Sequence, residues 1–303
     1  MSAPYEKPAL TPKELVALLR DKGLLIENAE RAERYVKNIG YHRLSTYFSP
    51  FSSAENFAQN TTFDDILSLY IFDRKLRLLT LDPIQRIEIA VRAEISNHMS
   101  LEYGAFWFLD STLFQDKDEH ARFVENAKKC AGKSSKQSSQ ACRDYHLRYG
   151  DHELPPSWIL IEELPMGCWS KIFSNLIRKQ DKRAIADQFH FSWPDFHGWL
   201  HPLSIFRNLL AHHRRFWNCT IPVNPPKLEK YAKDCGPIQG SYKNFVVIMT
   251  MLKTFINQTQ WPKHLAKILE SCPLDIHQHM HFPQGWEDMP FWQTIHHSPP
   301  ISS

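Results

Sequence analysis

The stretch from Phe63 to His98 restricts the fold of this chain more than any other. Apolar residues recur there at three- and four-residue intervals, the repeat of a helix that buries one face. Only Pro83 interrupts the pattern, and since proline removes an intrahelical hydrogen bond and crowds the preceding turn, the stretch reads as two long helices. No alternating strand pattern of useful length occurs elsewhere, so the expected class is all-α.

The rest of the chain supports that class. Thr11 to Asn38 is helical in pattern, with Leu15, Leu18, Leu19 and Leu24 at core-face spacing and Pro12 suited to a first turn. Tyr41 to Phe51 (YHRLSTYFSPF) reads as an aromatic connection. Lys128 to Gln140, rich in Ser and Lys, reads as a surface loop or frayed helix end. Trp158 to Arg178 is helical apart from a turn at Pro165-Met166-Gly167, and helix is expected from there up to Trp217. The proline- and glycine-rich segment from Cys219 to Tyr242 is a long connection, and Asn244 to Phe255 closes the core. The expected organisation is a single helical domain over 1–272, including an N-terminal helical extension, followed by an irregular tail over 273–303. That tail would be partly disordered or draped over the surface.

A chain of 303 residues can bury a substantial core, and 43% hydrophobic with 23% charged residues places it among ordinary globular proteins. There is no run of 18 apolar residues, and charges interrupt the N-terminus, so neither a membrane span nor a signal peptide is expected and the location should be the cytoplasm. The six cysteines form no CxxC pair, which suggests reduced structural thiols and no zinc site. A net charge of +3 is too small to establish a nucleic-acid partner, so local patches must carry that case.

Chemistry concentrates in Ile205 to Asn218 (IFRNLLAHHRRFWN). As one helix at about 100° per residue, it would gather Phe206, Leu209, Leu210, His213 and Trp217 into a core stripe about 80° wide. Arg207, Asn208, His212, Arg214, Arg215 and Asn218 would lie on the opposite arc. Asn208, His212 and Arg215 would stack there, while Arg207, about 140° from His212, would depend on its long side chain to converge. A second element, from this chain or a partner, would have to complete the site. Cleaving RNA without metal needs a base for the 2′-hydroxyl, cations for the transition state and an acid for the leaving 5′ oxygen. Histidine, with an ordinary pKa of about 6.5, can accept or donate the proton. Arg207 offers a planar fork for phosphate, Asn208 can orient His212 or the phosphate, and the flanking aromatics could stack a base. The bland alternative is a solvated basic helix face with a partly buried His213.

Arg207-Asn208-Leu209-Leu210-Ala211-His212 resembles the R-x4-6-H motif of HEPN ribonucleases, in the RNxxxH form also found in RNA-guided type VI CRISPR effectors. Over roughly residues 12 to 260 the chain resembles the Abi-like (AbiD/AbiF) abortive-infection family. The stretches carrying this resemblance are Tyr41 to Phe51, Leu69 to Ile95 and Pro155 to Phe173 (PPSWILIEELPMGCWSKIF). Glu88-Ile89-Ala90-Val91-Arg92 matches the E-x3-K/R motif that HEPN proteins often carry on an earlier helix; its ordinary alternative is a helix-surface ion pair. The resemblance implies a HEPN-like bundle of four or five helices, here about 63–260, and products with 2′,3′-cyclic phosphate ends. It also implies a site assembled from two motifs through a homodimer, a role in anti-phage defence and, in part of the family, a bound non-coding RNA.

Several further signals compete. Arg92 and His98 also fit R-x5-H, but His98 shares a stripe with Val91 and Ile95 and reads as a core or boundary histidine. His277, His279 and His281 could face a metal from a strand, yet no acidic or cysteine ligand accompanies them, and a His-rich surface tail is expected. Asp73 and Arg77 read as a structural pair, in a DRxLR stretch that the family often shows. Lys171, Arg178, Lys179, Lys182 and Arg183 form a basic run, either a solvated face or an RNA-binding flank alongside Arg214 and Arg215. The expected activity is a metal-independent, cofactor-free endoribonuclease toxin with Arg207, Asn208 and His212 catalytic and Glu88 and Arg92 supporting. The competing readings are a non-catalytic RNA-binding or scaffolding module and a metal-dependent nuclease. Replacing Arg207 or His212 by alanine is expected to abolish cleavage without moving the unfolding midpoint, because the polar arc is not core.

Overall fold

The structure is a computed structural model that describes residues 8–293 apart from 54, 150, 258 and 259. It is all-α, with fourteen helices among the described residues and a single antiparallel pair of two-residue strands, Ser52–Ser53 with Asn56–Phe57. The N-terminal pattern resolves into two helices. The first, α1 (Pro12–Asp21), starts on a capping box in which Thr11 and Glu14 satisfy each other's backbone amides. Gly23 then turns the chain at φ +87° and α2 (Ala29–Ile39) packs back on α1. Gly40, at φ +90°, lets α3 (Tyr41–Ser45) begin at once in a new direction, so the aromatic connection is itself partly helical.

The centre of the molecule is α4 (Phe63–Tyr103), a continuous helix of 41 residues and roughly 60 Å at 1.5 Å per residue. Here the structure overturns the expectation of two helices. Pro83 supplies no N–H to the carbonyl of Leu79, which would otherwise be an orphan. The indole Nε1 of Trp261 donates to that carbonyl instead, at 3.3 Å. With the missing hydrogen bond replaced from another helix, α4 carries through the proline. Ile66, Leu69, Phe72, Leu76, Ile84, Ile87, Val91, Ile95 and Met99 are all buried along it.

Around α4 lie α5 (Lys117–Ala131), α6 (Gln140–Arg148), α7 (Ser157–Glu163), α8 (Met166–Asn175), α9 (Lys179–Asp187), α10 (Trp193–Ala211), the single turn α11 (Leu228–Tyr231), α12 (Tyr242–Ile256), α13 (Trp261–Leu269) and α14 (Ile276–Met280). Helices α7 to α10, α12 and α13 all pack on α4. The break between α7 and α8 falls at Leu164-Pro165, so Met166 and Gly167 open the second helix and do not belong to a turn. Within α10, Gly198 is required by a close approach, since a Cβ there would stand 2.5 Å from the ring of Pro226.

The C-terminal segment is not a loose drape over its described length. Met280, Phe282, Trp286, Phe291 and Trp292 are buried, and Trp292 donates its indole N–H to the Tyr242 hydroxyl at 2.7 Å. Four large aromatic rings recover the burial that the missing periodicity seemed to forgo. Residues 294–303 lie outside the described residues. Among those described, no helix is long and apolar enough to cross a membrane.

Candidate functional site

The motif helix ends where its chemistry begins. Instead of running to Asn218, α10 stops at Ala211 with His212 as its C-cap. His213 adopts the left-handed conformation at φ +56°, its N–H bonds Leu210 O at 3.1 Å, and Arg214 N–H bonds Leu209 O at 3.1 Å. Together these form a Schellman closure with histidine in the position glycine usually takes. His213 is consequently exposed, contrary to its expected place in the core stripe. Phe216 and Trp217 are buried, so neither can stack a base as the sequence suggested.

A buried carboxylate explains why the chain turns here. Asp73 of α4 accepts the backbone N–H groups of Phe216 (3.1 Å) and Trp217 (2.7 Å) on one oxygen. Its other oxygen accepts the Tyr47 hydroxyl at 2.5 Å and the guanidinium of Arg77. Burial pushes the Asp73 carboxyl up, against the opposing pull of Arg77, Tyr47 and the two amides. Burial, together with that carboxylate, pushes the Tyr47 phenol up as well, which keeps it a donor. The Asp73–Arg77 pair is thus the fully enclosed anchor of the segment after His212. Two further bonds staple α3 to the same turn: Arg43 Nη1 donates to His213 O at 2.7 Å, and Arg215 Nη1 donates to Thr46 O at 2.5 Å.

The turn and α3 enclose a cleft of about 600 Å3. His212 opens into it with His42, Arg43, His213, Arg214 and Arg215, and among the described residues no carboxylate lines it. Such a recess concentrates positive charge where a phosphate could enter, with imidazoles that can carry protons.

Arg207 points elsewhere. Its Nε donates to Glu88 at 3.0 Å, and Arg92 lies 3.8 Å from the other oxygen of that carboxylate, whose side chain is only 4% exposed. Arg92 also caps the end of α7 through Ile161 O (2.9 Å) and Leu164 O (3.3 Å). The two sequence motifs therefore do meet, at Glu88, beside a second cleft of about 480 Å3 that includes Glu162 and Glu163. Asn208 receives one long bond from Arg207 (3.4 Å) and faces a third recess beside Lys171 and Arg122. Arg207, Asn208 and His212 thus line three separate recesses around α10.

The other sequence candidates divide similarly. Arg214 and Arg215 line the His212 cleft. Lys179 and Arg183 are exposed on α9, whose Asp181 contacts His98 and Tyr103, more than two turns beyond Glu88 along α4. Lys182 is only 8% exposed, donates to Ser174 O at 2.6 Å and lies over the Trp193 ring, so it is occupied within the fold and not presented to RNA. Burial lowers its pKa. His98 is the boundary histidine expected, paired with Asp181 at 3.2 Å. His277 and His279 sit on the short helix α14 and His281 on its left-handed cap, so no strand aligns them. Among the described residues no group of three or more His, Cys, Asp or Glu is placed to hold a metal. Sequence reasoning missed His42 and Arg43 as cleft residues, and it read Asp73 as a structural partner of Arg77 without its bonds to the turn after His212.

Comparison with curated proteins and with solved structures finds no match. The family model described as Abi-like protein matches residues 34–218, a span that begins within α2, includes all of α3 and α4 and ends after the His212 turn. That match takes in every group around the cleft except Cys219, suggests a role in abortive infection, and shows that the chain belongs to the Abi-like protein family.

Proposed function

We propose that this chain is a metal-independent endoribonuclease of the HEPN type that acts in anti-phage abortive infection and leaves 2′,3′-cyclic phosphate ends. The observation that carries this reading is an exposed His212 in a cleft lined by three arginines and two further histidines, with no carboxylate among the described residues that line it. His212 exchanges a proton with the 2′-hydroxyl or the 5′ oxygen, while Arg214 and Arg215 attract the phosphate and offset the charge that grows on it. Arg207 and Asn208 complete the constellation from a second copy of the chain, since within one copy they open away from His212. In this reading the protein is a homodimer, and its partner is RNA, as substrate and in addition as a bound non-coding regulator.

The test is incubation of the purified protein with end-labelled RNA in excess EDTA. Cleavage to cyclic-phosphate ends that disappears in His212→Ala, with the unfolding midpoint kept, supports the reading. RNA bound but left intact would make the protein an RNA-binding module, and cleavage stopped by EDTA would make it a metal-dependent nuclease.

A further inference from the structure

We propose that His42 is the second acid–base group of the His212 cleft, supplied by the same chain, so that the two imidazoles of each site are paired in cis. This rests on the ribonuclease reading and adds a residue that neither the R-N-x3-H nor the E-x3-R pattern contains.

Three observations place His42 there. Both imidazoles line one cleft, although they lie 170 positions apart in the chain (212 − 42). The element carrying His42 is fixed to the one carrying His212 by bonds running both ways: Arg43 to His213 O, and Arg215 to Thr46 O. Below them Asp73 ties Tyr47 to the Phe216 and Trp217 amides, so one buried carboxylate sets the position of both walls. Holding two groups in register in this way is what proximity catalysis requires. His42 is exposed and its ring makes no hydrogen bond among the described residues, which leaves it free for a ligand.

The chemistry balances with two imidazoles and nothing else. One, neutral, takes the 2′-hydroxyl proton as the 2′ oxygen attacks phosphorus. The P–O5′ bond breaks as the other, protonated, gives its proton to the departing 5′ oxygen. The products are a 2′,3′-cyclic phosphate and a free 5′-hydroxyl. The groups facing His42 are Arg43 on its own helix, Tyr47 just beyond that helix, and His213, Arg214, Arg215 and Cys219 on the turn side. The arginines hold the phosphate with their planar guanidinium forks.

The experiment measures cleavage of labelled RNA in EDTA against pH by the parent, by His42→Ala, by His212→Ala and by an equimolar mixture of the two variants. The parent should give a bell-shaped profile. His42→Ala should fall about 10²–10⁴-fold, lose one limb of the bell and regain rate with added free imidazole, which a merely structural residue would not do. The mixture should stay inactive. Activity restored in the mixture would place the two imidazoles on different chains and overturn the cis pairing. His42→Ala with the parent's rate and profile, beside an inactive His212→Ala, would overturn the role of His42 and leave the ribonuclease standing. A parent that cuts no RNA would instead sink the ribonuclease reading itself.

Discussion

Arg207 and His212 stand little more than one helical turn apart, yet their surroundings are built on opposite terms. On the Arg207 side, a carboxylate that is almost wholly buried is held between two guanidiniums, and one of those also caps a neighbouring helix. On the His212 side the carboxylate lies beneath the surface, spent on Arg77, a tyrosine and two backbone amides, and the surface above it is left to cations and imidazoles. The first arrangement compensates its charge internally and serves cohesion between α4 and α10. The second leaves positive charge unopposed and is suited to an anionic ligand. Two members of one short motif thus stand in opposite electrostatic settings within one chain, because what a side chain can do there depends on which charges the fold has already neutralised.

The largest effect is expected at Asp73. Asp73→Ala should lower stability by about 3–5 kcal/mol, the usual loss when one member of a buried ion pair is removed, and should free the turn carrying His212. Chemical denaturation gives the loss, and hydrogen exchange at the Phe216 and Trp217 amides reports the release. An unchanged midpoint would show that the turn holds itself.

Next in size is the contrast between the two motif residues. Arg207→Ala leaves Glu88 buried with only the more distant Arg92, at a cost of about 1–3 kcal/mol. His212→Ala removes an exposed ring and should stay within about 0.5 kcal/mol of the parent. This revises the simpler expectation that both substitutions spare the unfolding midpoint. Equal midpoints in the two variants would erase the distinction between a cohesive and a binding side.

The smallest effect is the most local. His213 holds φ +56° where glycine carries no steric penalty, so His213→Gly should stabilise the fold by up to about 1 kcal/mol if the site's own ring contributes little. A thermal shift upward with altered cleavage would mean that the strained histidine is retained for the cleft. A shift downward would mean that its ring packs in a way its exposure does not suggest.

Much of this architecture is legible from short-range pattern. The three- and four-residue repeat in Phe63 to His98 specifies a buried helix, Pro12 suits the first turn of its own helix, and the run from Arg207 to His212 shows where arginine, asparagine and histidine cluster. These are local quantities, set by residues within a few turns of each other, whereas the Thr11–Glu14 capping box came into view only with the structure. Whether α4 breaks at Pro83 depends instead on Trp261, because the orphaned Leu79 carbonyl finds its donor only in another helix. Whether α10 runs to Asn218 depends on Asp73, which bonds the Phe216 and Trp217 amides once the chain has turned away from the helix. The same long-range compensation gives Arg207 to Glu88 and opens His212 towards α3. Periodicity along one helix registers which faces must be dry, but the partner of each buried carbonyl and charge comes from residues distant in the chain, and only the tertiary structure brings them together.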